Sequence, residues 1–307
     1  MSKLFSQANL QKIVAKLGMP GIRFWHAYVY YRNRGKWPNF SHPTDLSEMI
    51  LASMHKKEFL KNAYYADKWK VREYIESKGL GDILLDVYGA WDKAEDIDFD
   101  VLPEKFALKP NNGSGGHFFC KDKSKSDIPA VRKQMNQSII LDRLGYHFEP
   151  HYGKIAPKIY AEELIDTGTE AWPTDYKFTC VNGVIGDVFV CCERETGTTK
   201  YITLDTDWNV LPYTKKEYMP DFIPKKPKHL DRMIEIAKIL SADFEIVRVD
   251  LYEYKDKVYF SELTFSPWGG HMYSYNQGGL NKLAELYYKT KTVSYTHLRA
   301  HETGRNL

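Results

Sequence analysis

Two alternating runs, Asp175 to Val181 (DYKFTCV) and Val184 to Cys192 (VIGDVFVCC), are separated only by Asn182 and Gly183. Asn-Gly is the strongest short hairpin signal, because both residues tolerate the positive φ that a twist-matched two-residue turn requires. An antiparallel pair is therefore expected mid-chain. Lys200 to Leu204 (KYITL) alternates as a further strand, and Leu230 to Leu240 (LDRMIEIAKIL) has the spacing of an amphipathic helix. Glu245 to Tyr254 (EIVRVDLYEY) and Lys257 to Phe265 (KVYFSELTF) then read as a strand pair across Lys255-Asp256.

Upstream the pattern changes. Pro43 to Gly79 reads as helix, with Leu46, Ile50 and Met54 four apart and a Lys-Gly stop at its end. ILLDVYGAW (Ile83 to Trp91) reads as a strand entering a loop, and Phe106 to Pro110 as a short strand halted by proline before Asn-Asn-Gly-Ser-Gly-Gly. Ile155 to Leu164 reads as another strand, followed by a polar connection from Asp166 to Pro173. Early helices, a sheet with a Gly-rich loop and a hairpin-rich antiparallel region make an α+β fold, not a βαβ series.

Composition narrows the function classes. The 307 residues carry 43 Lys+Arg against 40 Asp+Glu, a formal charge of +3, which excludes a strongly basic nucleic-acid surface as the default. Aromatic residues reach 14%, enough both for a core and for pockets that take sugars, bases or rings. Cys120, Cys180, Cys191 and Cys192 show no framework; as reduced packing residues they point to a reducing, cytoplasmic setting. No stretch approaches the ~20 apolar residues of a spanning helix, and the first residues lack a signal peptide's apolar core. Phe24, Trp25, Tyr28, Tyr30 and Tyr31 lie among Arg23, Arg32 and Arg34, a cluster suited to core packing or to a membrane or partner surface. Core packing is the favoured expectation. Residues 293–307 lack apolar periodicity, and Val293 to Thr303 (VSYTHLRAHET) resembles a translated transposase sequencing adaptor. They are expected to be a non-native tail, with the natural reading ending near Thr292.

Several groups could carry chemistry. The loop Asn111 to Gly116 follows Lys109 and Pro110, and glycines let backbone N–H groups approach a phosphate closely. No Gly-Lys-Ser/Thr follows, so it is not a Walker loop, and a flexible surface connection would explain it equally. Arg248-Val249-Asp250 and Glu262-Leu263-Thr264 lie on neighbouring strands, where matching parity lets Asp250 and Glu262 converge as a hard-cation site. A surface ion pair with Arg248 is the alternative. Glu162-Glu163-Leu164 could offer one carboxylate to a pocket or be a solvated pair, and Lys177 is either an edge gatekeeper or a phosphate ligand. No HExxH, GxSxG or Cys/His arrangement is present, so metalloprotease and nucleophilic hydrolase readings fall away. Asp205-Thr206-Asp207 fits an Asp-x-Asp pattern and is read as a turn.

The order of these pieces resembles the ATP-grasp superfamily, and more closely the TupA-like ATP-grasp family of surface-polysaccharide and teichuronopeptide biosynthesis. The residues that carry it are YYADKWKVREYI (Tyr64 to Ile75), LPEKFALKPNNGSGG (Leu102 to Gly116), DYKFTCVNG (Asp175 to Gly183) and VRVDLYEYKDKVYFSELTFSPWGG (Val247 to Gly270). The likeness covers Pro43 to Thr292. It implies an ATP-grasp fold of two α+β lobes clasping ATP, with residues 1–60 an N-terminal helical region and 61–292 the ATP-grasp domain, its lobes meeting near 162–175. By the same resemblance, Lys68 and Lys109 hold ATP phosphates and Asn112, Gly113, Ser114, Gly115 and Gly116 form the phosphate lid. Glu162, Glu163 and Leu164 form the hinge at adenine and ribose, and Lys177 reaches the nucleotide from the second lobe. Asp250 and Glu262 match the Mg²⁺ carboxylates, and Arg248 the arginine that stabilises an acyl-phosphate. Many ATP-grasp ligases carry Asn two residues after the metal Glu; Thr264 stands here, a shorter and weaker ligand. Ser266, Trp268, Gly269 and Gly270 match the substrate loop, and Trp268 to Tyr275 make an aromatic rim suited to a sugar-bearing acceptor.

The implied activity is ATP-dependent carboxylate–amine ligation through an acyl-phosphate, with ATP and Mg²⁺ as cofactors and a small-molecule or polymer-precursor carboxylate and amine as partners. Nucleic acid is not an expected partner; peripheral membrane contact is compatible. The alternatives are a glycosyltransferase-like enzyme of the same pathways, or a non-catalytic nucleotide-binding adaptor.

Overall fold

The computed structural model describes residues 11, 13–113, 115–140, 148–168, 173–193 and 199–303. The chain divides into two units, one of Met1–Val29 with Met54–Pro173 and one of Tyr30–Ser53 with Thr174–Leu307. Helices α1 (Met19–Arg34) and α2 (Leu46–Met54) come first.

Pro43 to Gly79 does not form one helix. After α2 come a 3-10 turn (Lys57–Asn62), α3 (Ala63–Ala66) and α4 (Val71–Ser77). The break has a local cause: Asp67 Oδ1 accepts from the backbone N–H groups of Trp69 (2.9 Å) and Lys70 (3.2 Å), which competes with continued helix. Strands β1 (Val87–Trp91), β2 (Phe106–Pro110) and β3 (Phe118–Cys120), helix α5 (Ile128–Ile140) and strand β4 (Ile159–Glu162) follow. The expected strand from Ile155 to Leu164 is thus shortened at both ends, its start held back beyond Pro157, which has no N–H for a ladder. The sheet has the order β1-β4-β2-β3 with every pairing antiparallel. Leu108 stands opposite Ala161 while Lys109 stands opposite Tyr160, so alternate residues serve opposite faces. Phe106, Leu108, Ile159 and Ala161 pack with Val131 and Met135 of α5 in the core. Lys109 and Glu162 are left on the other face.

The second unit is built on a five-stranded antiparallel sheet, order β7-β6-β5-β8-β9. Its strands are β5 (Asp175–Val181), β6 (Val184–Cys192), β7 (Lys200–Leu204), β8 (Ile246–Tyr254) and β9 (Lys257–Thr264), with helix α6 (Leu230–Ser241) between β7 and β8. Asn182 and Gly183 have φ of 48° and 76°, and Lys255 and Asp256 have 45° and 64°, so both hairpins use two positive-φ residues. Met233, Ile236, Ala237 and Leu240 of α6 are fully buried beside the sheet. Helix α7 (Gln277–Thr303) packs on β5 and β6 and continues past Thr292 into the segment without apolar periodicity. Gly186 permits its close approach, because a Cβ there would lie 2.4 Å from Leu283 Cδ2.

Residues 30–53 belong to this second unit through buried polar bonds. Tyr30 donates to Asp45 Oδ2 (2.5 Å), Gln277 donates to the same oxygen (2.8 Å), and Ser47 donates to the Gly270 carbonyl (2.6 Å). The aromatic cluster of α1 splits its roles: Trp25 and Tyr30 are buried, whereas Phe24 and Tyr31 are exposed. All four cysteines are free and buried, as packing residues would be. Among the described residues no helix is long and apolar enough to cross a membrane.

Candidate active site

The strand that ends at Pro110 delivers Lys109 and the Gly-rich loop together. Lys109 pairs with Glu162 across β2 and β4, on the face opposite the core. Asn111 fixes the loop's root. Its side-chain amide donates to Asp67 Oδ1 (3.0 Å) and to the Ala156 carbonyl (3.0 Å), and its Oδ1 accepts from the Lys158 N–H (2.7 Å). Its own carbonyl accepts from the Lys68 N–H at 2.9 Å. Asp67 and Asn111 thereby seat Lys68, whose ammonium donates to the Gly113 carbonyl at 2.6 Å. Lys68 and the loop meet; sequence spacing could not show this.

Asn112 is buried, and neither polar atom of its side chain has a partner within the protein. Such a group inside a Gly-rich loop is an unmet hydrogen-bonding demand that a ligand can satisfy. Gly113, Gly115 and Gly116 all have positive φ, between 64° and 80°. At Gly116 a Cβ would also stand 2.6 Å from Ser138 Cβ, so glycine is required twice over. Ser114 lies outside the described residues. Glu162 is buried, while Glu163 and Leu164 are half-buried beyond the end of β4. The Glu163 N–H donates to the Asp86 carbonyl at 2.8 Å.

In the second unit, Asp250 is the Cα partner of Lys177 on one side and of Glu262 on the other. Cross-strand register therefore sets the three charges of Lys177, Asp250 and Glu262 side by side. Arg248 forks onto Asp250, Nε to Oδ1 and Nη2 to Oδ2, each at 2.7 Å. Lys177 pairs with Asp250 and also with Asp175 Oδ2 at 2.5 Å. Arg248 Nη2 further reaches Glu262 Oε1 (3.4 Å) and donates to Thr264 Oγ1 (3.1 Å), while Thr264 donates to Glu262 Oε1 (3.1 Å). Asp250 is fully buried and Glu262 half-buried. This is not a surface ion pair.

Burial alone would lower the pKa of Lys177, but the Asp175 and Asp250 carboxylates outweigh it and raise it. Arg248 behaves likewise, with burial opposed by Asp250 and Glu262. Burial pushes the Asp250 carboxyl up, against the pull of Arg248 and Lys177. The bidentate fork and the ammonium contact hold it ionised.

Two carboxylates at directly opposed positions, with a hydroxyl beside them, are hard oxygen donors. They suit Mg²⁺, which is commonly held by one or two carboxylates and completed by phosphate oxygens. Among the described residues, no three His, Cys, Asp or Glu side chains gather as an all-protein metal cage.

The loop expected to take substrate, Ser266 to Gly270, is only partly open. Ser266 and Gly270 are buried, whereas Trp268 and Gly269 are half-buried. Trp268 has φ of 50° and stacks edge-on against Phe189, 5.2 Å between centroids, with the Arg248 guanidinium 5.8 Å from its ring. The expected aromatic rim does not extend to Tyr275, which is 1% exposed and donates to Asp187 Oδ1 at 3.1 Å. Its hydroxyl satisfies a buried acid, so it faces inward.

Sequence reasoning missed Asp67 and Asn111, which orient the first-unit loop, and Asp175 and Asp187 in the second. Asp175 could have been found, since it lies two residues before Lys177 and so shares its face. Asp205 accepts from the N–H groups of Asp207 (2.9 Å) and Asn209 (2.8 Å). It is a turn-capping residue, as expected of Asp205-Thr206-Asp207.

The family model TupA-like ATPgrasp matches residues 48–285. No curated protein matches the sequence. Among solved structures, the D-alanine–D-alanine ligase from Bacillus anthracis complexed with ATP is 16% identical, with a TM-score of 0.42 over 84% of this chain and 70% of that one. The ATP-grasp ligase PsnB with a phosphomimetic minimal precursor, Mg and ADP is 12% identical, TM-score 0.42, over 76% of this chain and 60% of that one. D-cycloserine synthetase DcsG is 12% identical, TM-score 0.40, over 74% and 71%. The family match spans most of the chain and both groups of site residues: by it, the protein belongs to the TupA-like ATP-grasp family, with the ATP-grasp fold.

Proposed function

We propose that the protein joins a carboxylate to an amine through an acyl-phosphate, in the synthesis of a cell-surface polysaccharide or teichuronopeptide precursor on the cytoplasmic side. The observation that carries this reading is the buried Arg248–Asp250–Lys177 cluster directly opposite Glu262. Charge of both signs, held rigidly on three adjacent strands, suits the stabilisation of a transferring phosphoryl group.

Lys68 and Lys109 from the first unit and Lys177 from the second are assigned to the phosphates. Asp250 and Glu262 would hold Mg²⁺, with the Thr264 hydroxyl beside them. Bound there, the ion supplies neutralisation of phosphate charge. The Asn112 amide and the loop N–H groups would bind phosphate oxygens, and Glu162, Glu163 and Leu164 would line the base and ribose. Arg248 is placed to steady the negative charge of an acyl-phosphate. The acceptor carboxylate attacks the γ-phosphoryl group and releases ADP; the amine then attacks the acyl carbon and releases phosphate. No enzyme nucleophile is needed, so positioning and electrostatics carry the catalysis. Trp268 and its neighbours Ser266, Gly269 and Gly270 are assigned to the acceptor.

The test is a phosphate-release screen with Mg·ATP over pairs of amino acids, uronic acids and amines. ATP consumption that requires both acceptors is expected, with Asp250→Ala nearly inactive. Product formed by Asp250→Ala at the parent rate would remove the assignment of the metal site, and nucleoside diphosphate release from a sugar donor would replace the ligase reading.

A further inference from the structure

Charge is distributed very unevenly along this chain. Residues 1–44 contain seven Lys and Arg and no Asp or Glu; the first acid is Asp45. The remaining 263 residues hold 36 Lys+Arg against 40 Asp+Glu, so a mildly acidic body carries a wholly basic leading segment.

The same segment exposes large apolar side chains. Helix α1 buries Ile22, Trp25, His26 and Tyr30, yet Phe24 is 51% exposed and Tyr31 40%. Phe24 and Tyr31 are seven residues apart, which puts them on one side of a helix. Arg23 and Arg32 are exposed next to them. Leu17, just before α1, is 64% exposed, and Trp37, just after it, is 57% exposed and stacks on Tyr31 at 4.8 Å. In water such a strip exposes apolar area without benefit. A lipid headgroup layer would take it: Trp, Tyr and Phe suit the boundary with the acyl region, and Arg and Lys suit anionic phosphates.

We infer that α1 and its flanks form a docking surface for an anionic phospholipid bilayer, on which the protein lies peripherally. Charge complementarity selects the occupant, because the exposed cations Lys16, Arg23, Arg32 and Lys36, in a segment with no carboxylate before Asp45, are matched by a surface of negative phosphates. The inference does not rest on the ligase reading. Failure of vesicle binding with phosphate release intact overturns it alone.

The experiment is co-sedimentation of the full chain with vesicles of phosphatidylcholine, and of phosphatidylcholine with about a third phosphatidylglycerol, at low and high salt. At least ~10-fold stronger partition onto the anionic vesicles is expected, weakening as salt rises. Phe24→Ser with Trp37→Ser, and separately Arg23→Glu with Arg32→Glu, should each reduce that partition by ~10-fold or more while thermal unfolding and phosphate release from soluble substrates stay at parent values. Equal partition onto both vesicle types overturns the inference, and this comparison needs no variant to fold. So does undiminished binding by the two folded variants. Light scattering that shows a parent dimer, dissociated by the same substitutions, overturns it as well, in favour of a second copy of the chain.

Discussion

Arg248 grips Asp250 from two residues away on the same strand face, with both guanidinium contacts at 2.7 Å. The fork holds the carboxylate in one orientation toward the position of Glu262, its cross-strand partner. A lysine offers a point charge on a flexible stem and cannot reproduce that fork. Arg248→Lys should therefore keep the local charge but lower kcat by ~100-fold, with the KM for ATP changed far less. Steady-state kinetics at saturating acceptor checks it. A parallel rise in KM with unchanged kcat would place Arg248 in nucleotide binding instead.

Asn111 joins three segments that are distant in sequence: the Asp67 turn, the Gly-rich loop and the stretch before β4. Asn111→Ala removes three bonds and leaves buried groups unpaired, at about 1–3 kcal/mol for each group so stranded. The expected outcome is a raised KM for ATP, because Lys68 loses its seat, with a smaller change in kcat. Denaturant unfolding and ATP titration of the same variant separate the two effects. Unchanged ATP affinity would show that the loop holds its shape without this hub.

Asn111 also marks where sequence reading stops. Its partner Asp67 is 44 positions away, and no periodicity links an Asn after a strand to an Asp between helices. The β5–β6 and β8–β9 hairpins are legible because turn chemistry is local: Asn182-Gly183 and Lys255-Asp256 are where the chain turns. The convergence of Asp250 and Glu262 is not legible in this way: the hairpin's own register would set Asp250 opposite Ser261, and a β-bulge between Asp250 and Leu251 shifts the pairing by one so that Glu262 stands there. Pro43 to Gly79 imitates a continuous helix because apolar spacing survives its breaks: α2 ends at Met54, a 3-10 turn follows, and the Asp67 side chain parts α3 from α4. The inclusion of residues 30–53 in the second unit depends on buried bonds from Tyr30, Asp45 and Ser47 to residues over two hundred positions away or to one another, which no local pattern announces.

Thr264 stands between Arg248 and Glu262 with one hydroxyl serving both, at 3.1 Å each. Thr264→Val keeps the shape and removes the link. Stability should fall by about 1 kcal/mol, while half-saturation by Mg²⁺ shifts several-fold upward as Glu262 loses its donor. Calorimetric titration of Mg·ATP, alongside phosphate release, measures it. An unchanged Mg²⁺ requirement would confine Thr264 to packing.

His26 Nε2 lies 2.9 Å from the Phe148 carbonyl, which can only accept, so that nitrogen carries the proton. Neutral His26 then accepts on Nδ1 from His55 Nε2–H, also at 2.9 Å. Burial lowers His26 to about 4, the Phe148 bond opposing in part; burial, then His26 and Arg23, lower His55 to about 3. Both folded values lie beneath the unfolded 6.5, so the unfolded chain binds more protons in between. Their stabilisation is complete above pH 6.5 and is lost as pH falls through about 4, by about 3 kcal/mol for His26. Urea midpoints between pH 7 and 4 should show this loss, and His55→Phe should flatten it.

Asp187 has the opposite sign. Burial raises its pKa to about 7, with bonds from Thr179 and Tyr275 and the charge of Arg248 opposing. The folded chain therefore holds a proton that the unfolded chain releases near 3.8, and stability from this group is lost as pH rises from there to about 7. Asp187→Asn keeps the shape and an acceptor for the Tyr275 hydroxyl but cannot ionise. Relative to the parent, the variant should gain stability steadily from about pH 4 to about pH 7 and then level off. One proton held only by the folded chain is worth about 1.4 kcal/mol for each pH unit crossed, so the gain reaches a few kcal/mol. Urea unfolding of both proteins across that range decides it. A constant difference at every pH would mean that Asp187 is ionised in the fold and that its buried charge is met by Tyr275 and Thr179 alone.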